Sequence, residues 1–325
     1  MSTKSRVLES LLCAGDQFCS GGKLAAQCGV SRTAIWKAIE QLKAEGCEIE
    51  AVTNRGYRFR VMPDLYSEGY LRRLLEATGK SWNVRHYEEV GSTNQVAKEL
   101  AANGAPSGTI VIADSQSGGR GRSGKQFHSP KGGLYVSYVL RRDMPMDQMM
   151  AVTACAAAAV HDALASFGVR TLIKWVNDLY IGDRKLCGIL SEGSFSAELS
   201  SMEYLVIGIG INLHPDPDLP EALHPIVTDA ETETGVCINR CALVARLTQS
   251  LDTYLDGIGE HTFLPVYTVH SYTIGKMVRV RVDGEERIGR AVGIASDAGL
   301  IVRLDDNTNR TIRTGTAEIV RSGIL

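Results

Sequence analysis

Apolar positions in residues 1–61 recur at the spacing of short amphipathic helices, with small polar residues and glycines at the expected boundaries. Ser20 is placed to cap a short helix over 21–28, and Ser31 to cap a longer helix over 32–45. A short helix, a tight turn and a longer helix predict a helix-turn-helix unit.

A hairpin follows, in which apolar residues alternate with arginines beyond the turn Asn54-Arg55-Gly56. A basic hairpin after a helix-turn-helix is typical of a DNA-binding wing, although such a unit can also pack on a neighbouring domain or bind a protein. The residues expected to contact DNA are Arg32, Thr33, Trp36, Lys37, Arg55 and Arg58.

Beyond a linker at Met62-Pro63-Asp64, apolar runs of strand length mostly follow one another directly. The pattern predicts strands over 110–113, 134–140, 173–175, 179–181, 186–191 and 204–213. It predicts helices over 93–103, 149–167 and 240–255, and Gly182-Asp183 is expected to form a two-residue hairpin turn between two of the strands. Consecutive strands with segregated helices indicate an α+β domain with a mixed or antiparallel sheet.

From Tyr272 onwards short alternating strands and the turn Asp283-Gly284 predict a small β-barrel. The sequence therefore predicts an α+β multidomain protein with three domains: a winged helix-turn-helix over 1–63, a catalytic domain over 64–271 and a β-barrel over 272–325.

Charge and composition bear on the binding partners and the cellular location of the protein. The net charge is −2, but residues 1–62 carry nine basic and six acidic side chains, so the amino-terminal segment is basic and the remainder acidic. The most apolar stretch, Met149–Val160, is too short for the ~20 residues of a membrane span, and no signal peptide is visible. No membrane partner is therefore expected. The eight cysteines show no C-x-x-C pair, which favours reduced thiols in a cytoplasmic protein.

The segment Gly118-Gly119-Arg120-Gly121-Arg122-Ser123-Gly124 is the strongest chemical signal. It contains the letters G-x-G-x-x-G, but that dinucleotide fingerprint needs a helix directly after it. Here Pro130 and Gly132-Gly133 interrupt the chain before the next strand. We therefore predict an arginine-bearing loop between two strands, able to bind phosphate or carboxylate.

Three further segments carry candidate chemistry, each with an ordinary structural alternative. Ser92-Thr93-Asn94-Gln95 resembles a capping box and could also bind a small polar group. Lys174 ends a strand, where it reaches either solvent or a site, and Asn177-Asp178 form a turn. Gly208 and Gly210 leave one face of a strand without side chains, so a ligand or another backbone is expected to approach that face closely. The amide of Asn212, at the end of this strand, could form hydrogen bonds with the edge of an adenine.

These segments, in this order, resemble the bifunctional biotin–protein ligases that also repress the biotin operon. The resemblance rests on Ser92-Thr93-Asn94, Gln116, the glycine-arginine loop, Lys174-Trp175-Val176-Asn177-Asp178, Asp183 to Leu190 and Gly208 to Asn212, and it spans essentially the whole chain. It implies a winged helix, a central domain similar to class II aminoacyl-tRNA synthetases and an SH3-like barrel. Val176 replaces the family's usual proline, which predicts a looser turn.

The resemblance implies that biotin and ATP, with Mg²⁺, form biotinyl-5′-AMP and that biotin then passes to a lysine of a biotin carboxyl carrier protein. It implies catalytic roles for Lys174, Arg120 and Arg122, with Trp175 or Phe127 beside the apolar part of the ligand. Biotin binding is expected from Ser92, Thr93, Asn94, Gln116, Gly119, Arg120, Arg122, Lys174 and Gly188. Nucleotide binding is expected from Arg122, Phe127, Lys174, Asn177 and Asn212, and no metal ligand is assigned.

The other implied partners are operator DNA and a second copy of the chain in a homodimer. Two alternatives stay open: a transcription factor whose middle domain only senses a ligand, and a lipoate ligase of the same fold. The arginines and the lysine together favour an enzyme over a sensor, because a sensor has no need to neutralise reacting anions.

Overall fold

The computed structural model describes residues 2–142, 148–196 and 201–320. Residues 2–81 and 238–245 form one compact unit, and the described residues within 82–237 and 246–320 form the other.

The first unit contains the predicted helix-turn-helix. Its elements are α1 (Thr3–Ala14), α2 (Gly21–Cys28), α3 (Arg32–Ala44), β1 (Ile49–Val52), β2 (Gly56–Phe59) and α4 (Glu68–Glu76). Ser20 Oγ accepts from the Lys23 N–H and Ser31 Oγ from the Ala34 N–H, so both predicted caps are confirmed. The β1–β2 hairpin is antiparallel, and Asn54 has a positive φ of 64° in its turn.

Helix α4 was not predicted; Ser67 caps it, and Leu71 and Leu75 are its buried residues. The segment before it, expected to be a linker, is held in place within the first unit. Asp64 accepts from the backbone N–H and from Nε of Arg240, each at 2.7 Å, and this largely buried ion pair anchors the start of a long helix.

The second unit is built on a seven-stranded mixed sheet. Its strands are β3 (Asn83–Val90), β4 (Thr109–Gln116), β5 (Leu134–Leu140), β6 (Leu172–Lys174), β7 (Asp178–Ile181), β8 (Arg184–Ser196) and β9 (Ser201–Ile211). Their order is β3-β4-β5-β9-β8-β7-β6, with β3 and β4 parallel and every other pair antiparallel. The predicted mixed sheet is confirmed, and the two-residue turn Gly182-Asp183 joins β7 to β8 as expected.

The helices of this part of the chain are α5 (Thr93–Ala102), α6 (Met149–Ala165), α7 (Ala230–Thr234), α8 (Arg240–Asp256) and α9 (Leu264–Val269); the first turns of α8 belong to the first unit. The apolar α6 is a core helix, since residues 154–160 are fully buried. No helix among the described residues is both long enough and apolar enough to cross a membrane.

A five-stranded antiparallel sheet ends the chain. Its strands are β10 (Met277–Val282), β11 (Glu285–Ile294), β12 (Leu300–Leu304), β13 (Asn309–Ile312) and β14 (Glu318–Ile319), in the order β13-β12-β11-β10-β14. Asp283 and Gly284 have positive φ angles of 50° and 86°, as the predicted turn between β10 and β11 requires.

Candidate functional site

The glycine-arginine loop joins the antiparallel strands β4 and β5. It contains a single 3₁₀ turn, Arg122–Gly124, and no α-helix, so the strand–loop–strand prediction is confirmed. Gly119 is required by a close approach, because a Cβ there would lie 2.3 Å from the carbonyl oxygen of Phe127.

The loop covers a cavity of about 200 Å³, here named the glycine cavity because Gly188, Gly208 and Gly210 form part of its wall. Seven of the nine residues expected to bind biotin line it: Ser92, Thr93, Asn94, Gln116, Arg120, Arg122 and Gly188. The structure thus brings together three segments that are far apart in the sequence.

Hydrogen bonds fix the polar end of the glycine cavity. Gln116 Oε1 accepts from the backbone N–H of Thr93 at 2.8 Å and from its hydroxyl at 3.1 Å. Buried Ser137, which the sequence analysis missed, donates to Thr93 Oγ1 and Asn94 Oδ1. The expected capping box is wrong, since Ser92 begins α5 without a side-chain cap and Gln95 bonds Glu99 instead.

The bare strand face is occupied by side chains of the chain itself. A Cβ at Gly208 would lie 1.9 Å from Asn94 Oδ1, and one at Gly210 would lie 2.6 Å from the Phe127 ring. The close approach is confirmed, but the groups that make it are an amide and a phenyl ring of the protein, which were not among the expected ones, a ligand or another backbone. Phe127 therefore borders the cavity, as expected.

Asn94 is held by a charged neighbour. Its Nδ2 donates to Glu192 Oε2 at 2.8 Å, and Lys98 Nζ lies 2.7 Å from Glu192 Oε1. Burial raises the pKa of Glu192, but the hydrogen bonds from Lys98 and Asn94 and the charges of Lys98 and Arg120 outweigh it and hold the pKa below its ordinary value. Glu192 is therefore a carboxylate at neutral pH.

Arg122 connects the loop to two other segments. Its guanidinium donates to Asn177 Oδ1 at 3.3 Å and to the carbonyl oxygen of Gly315 at 2.9 Å. Asn177 in turn donates to the carbonyl oxygen of Ile189, which fixes the turn after β6 against β8. Arg122 and Asn177 both line the glycine cavity, next to Thr316.

The structure places Lys185, not Lys174, in the glycine cavity. Lys174 Nζ lies 3.3 Å from the hydroxyl of Tyr180, outside the lining of either cavity described here. A bulge shifts the β7–β8 register between Leu179 and Tyr180, which pairs Lys185 with Tyr180. Lys185 Nζ then lies 2.7 Å from Asp178 Oδ1.

Lys185 lies in the segment Asp183 to Leu190, which carries part of the family resemblance, but no role was expected for it from the sequence. The available signal was its place two residues after the hairpin turn Gly182-Asp183 and three residues before the cavity glycine Gly188. Trp175 was expected beside the ligand, but it is buried and its indole Nε1 donates to the carbonyl oxygen of Ala298. The peptide bond between Trp175 and Val176, where the family has proline, is cis.

A second cavity of about 570 Å³ adjoins the first and shares Gln116, Gln126, Phe127 and Lys185 with it. We name it the histidine cavity, because His128, His214 and His224 line it. Apolar residues on the segment 219–227 cover one side, and Gly119 and Asn212 lie in its wall. The amide of Asn212 donates to the carbonyl oxygen of Thr228, so that group already has a partner.

In the first unit, α3 exposes Arg32, Thr33, Trp36 and Lys37, and Trp36 is 54% exposed. On the hairpin the guanidinium groups of Arg55 and Arg58 lie 4.2 Å and 4.5 Å from the centroid of the Phe18 ring. Arg58 also pairs with Glu50 at 2.8 Å, so Arg55 is the more accessible of the two.

Sequence models of three known families match separate segments of the chain. The sequence model of the biotin/lipoate A/B protein ligase family matches residues 87–212, an HTH domain matches 4–58, and the biotin protein ligase C-terminal domain matches 273–320. The chain is 35% identical over 303 residues to the bifunctional ligase/repressor BirA of Bacillus subtilis (strain 168), covering 91% of this chain and 93% of that protein. The chain belongs to the biotin protein ligase family. The family resemblance expected from the motifs is thereby confirmed.

More distant members of the family align over a similar length. The bifunctional ligase/repressor BirA of Escherichia coli (strain K12) is 27% identical over 302 residues, covering 90% of this chain and 91% of that protein. A solved biotin protein ligase from Aquifex aeolicus, in complex with biotin and ATP, superposes with a TM-score of 0.62 at 23% identity. It covers 74% of this chain and 99% of that chain, and it confirms the ligase fold.

Proposed function

We propose that the protein is an ATP-dependent biotin–protein ligase and a biotin-responsive transcriptional repressor. The observation that carries the ligase is the glycine cavity, which joins a hydrogen-bonding pocket to a group of cations. The relatives from Bacillus subtilis and Escherichia coli are named bifunctional ligase/repressors, and each aligns with about nine-tenths of this chain. They support both the ligase and the repressor function.

The polar end of the cavity suits the ureido ring of biotin, which offers two N–H donors and one carbonyl acceptor. The hydroxyls of Ser92 and Thr93 and the amides of Asn94 and Gln116 supply the matching groups. The strand glycines let Asn94 and Phe127 lie close against the sheet. We place the fused rings in the cavity beside them, with Phe127 against their apolar face.

The carboxylate end of biotin lies next to Lys185, Arg120 and Arg122 in this proposal. Biotin carboxylate attacks the α-phosphorus of ATP, the phosphorus–oxygen bond to pyrophosphate breaks, and biotinyl-5′-AMP and pyrophosphate result. Both reactants are anions, so positioning and neutralisation of charge carry the catalysis. Lys185 replaces Lys174 as the proposed catalytic lysine, because Lys185 is the one that lines the cavity.

The nucleotide extends into the histidine cavity, where Asn212 and the apolar segment 219–227 border the space for adenine. Mg²⁺ bound to the phosphates would neutralise part of their charge. Asp178 is the acidic side chain that lines the glycine cavity and could hold this ion, although its carboxylate also pairs with Lys185. In the second step the amine of a lysine on a biotin carboxyl carrier protein attacks the biotinyl carbonyl and AMP leaves.

We propose three functional domains: a winged helix-turn-helix (1–63), a catalytic domain (64–271) and an SH3-like barrel (272–325). The hairpin of β1 and β2 after α3 supports the wing, and the five-stranded antiparallel sheet supports the barrel. Biotinyl-AMP is expected to promote a homodimer in the cytoplasm, so that two winged helices bind a paired operator.

ATP–pyrophosphate exchange, measured with biotin, with lipoate and with neither, tests the ligase. Exchange that requires biotin and Mg²⁺ is expected. Exchange with lipoate alone would change the substrate and keep the fold. If a folded sample binds biotin but shows no exchange, the result would favour a transcription factor whose middle domain only senses a ligand.

Operator binding tests the repressor independently. With DNA from upstream of the host's biotin genes, affinity is expected to rise when biotin and ATP are added. Lys37→Ala is expected to weaken binding across sequences and to reduce its salt dependence, while exchange activity stays at wild-type level. DNA affinity that is unchanged by biotin, or by Lys37→Ala, would contradict the proposed repressor.

A further inference from the structure

Three side chains of different chemistry meet at the edge of the histidine cavity. His214 Nδ1 lies 2.7 Å from Glu231 Oε2, and ligand atoms of His214, Glu231 and Cys237 all lie within 4.8 Å of one another. They are separated by 17 and 6 positions in the sequence and do not form a recognisable metal-binding motif.

Backbone hydrogen bonds hold the three residues in this arrangement. His214 follows the end of β9, and the N–H groups of Ala230 and Glu231 donate to the carbonyl oxygens of Asn212 and Leu213, which ties α7 to that end. Gly235 then ends α7 with a left-handed φ of 71° and returns the chain, which brings Cys237 back towards Glu231.

The donor set is one nitrogen, one oxygen and one sulfur. We propose that His214, Glu231 and Cys237 bind one Zn²⁺ ion, with water as a fourth ligand. Imidazole, carboxylate and thiolate are all zinc ligands, whereas Mg²⁺ prefers a shell of oxygens. Tetrahedral zinc with bonds of about 2.0–2.3 Å places its ligand atoms about 3.3–3.8 Å apart, so only small side-chain shifts are needed.

The position is accessible. Cys237 is exposed, and the side chains of His214 and Glu231 are 20% and 38% exposed. A bound ion would join the end of β9, α7 and the segment after it, next to the wall that His214 and Thr232 form in the histidine cavity. This site is independent of the ligase proposal, because it needs neither biotin nor ATP.

The test uses the full chain, stripped with a chelator and kept reduced. Zn²⁺ titration is expected to show one equivalent bound, and Co²⁺ is expected to give thiolate-to-metal charge-transfer absorption with the visible bands of a tetrahedral ion. His214→Gln and Cys237→Ser are expected to lose this binding. His224→Gln, which alters another histidine of the same cavity, and Cys13→Ser are expected to keep it.

Alkylation of the wild-type protein gives a second readout that needs no variant. Zn²⁺ is expected to protect Cys237 from iodoacetamide while Cys13 reacts at an unchanged rate, and Mg²⁺ is expected to protect neither. Absence of stoichiometric zinc binding, unprotected Cys237, or unchanged binding in His214→Gln and Cys237→Ser would show that the histidine and glutamate form only a structural hydrogen bond.

Discussion

Replacement of Gly208 by alanine tests how the glycine cavity is built. The new Cβ would lie 1.9 Å from Asn94 Oδ1 and 2.6 Å from Asn94 Cγ, while ordinary contact begins near 3.4 Å. The amide of Asn94 must therefore withdraw from the strand by more than an ångström.

That movement breaks bonds that the structure shows. The amide donates to Leu190 O at 3.1 Å and to Glu192 Oε2 at 2.8 Å, and accepts from Ser137 at 2.7 Å. A neutral hydrogen bond contributes about 1 kcal/mol and one to a charged group about 1.5–3 kcal/mol. Partial relaxation leaves an expected loss of about 3 kcal/mol in the free energy of unfolding, or roughly 6–12 °C in Tm.

Biotin affinity is expected to fall about 10- to 100-fold in Gly208→Ala, equivalent to about 1.4–2.8 kcal/mol, because Asn94 borders the polar end of the cavity. Thermal unfolding and calorimetric titration with biotin measure the two effects. Gly193→Ala is the matched control, since its Cβ would meet no atom closer than 3.6 Å. A wild-type Tm and affinity in Gly208→Ala, or equal losses in Gly193→Ala, would refute the reasoning.

Three further predictions concern the glycine cavity and the carboxylate that holds Asn94 in place. Lys185→Met is expected to lower biotin-dependent exchange about 10²- to 10³-fold, because it removes a cation next to the negative charge that develops in the transition state. Lys174→Met is the control and is expected to stay within a few-fold of wild type. Equal losses in the two variants would contradict the assignment of Lys185. The pKa of Glu192 lies below its ordinary 4.5 in the folded protein, so its stabilising contribution is present above that pH and is lost as pH falls through the lowered pKa. Glu192→Gln is therefore expected to flatten the acid limb of Tm against pH, and an unchanged limb would argue against it. Arg122→Gly, which loses the bonds to Asn177 and Gly315, is expected to release free biotinyl-AMP faster; release at the wild-type rate would remove Arg122 from that role.

Much of the architecture follows from local signals. Serines at helix starts, glycines at helix ends and turn residues act within four or five positions along the chain, so Ser20 and Ser31 were recognised without tertiary information. The same holds for the turns at Gly182-Asp183 and Asp283-Gly284. Helix α4 was missed although it carries local signals of the same kind, since Ser67 caps it and its buried residues Leu71 and Leu75 lie four positions apart on one face.

The sequence by itself determined the module order, the strand–loop–strand setting of the glycine-arginine loop, and the residue types that gather around the cavity. Only the tertiary structure decided which lysine enters that cavity, because a one-residue bulge between β7 and β8 sets the direction of Lys185. It also decided that Asn94 and Phe127 lie over the strand glycines, and that His214, Glu231 and Cys237 meet. Such contacts join segments that are distant in the sequence. The alternation of apolar and polar residues along one strand does not show which other segment each face will contact.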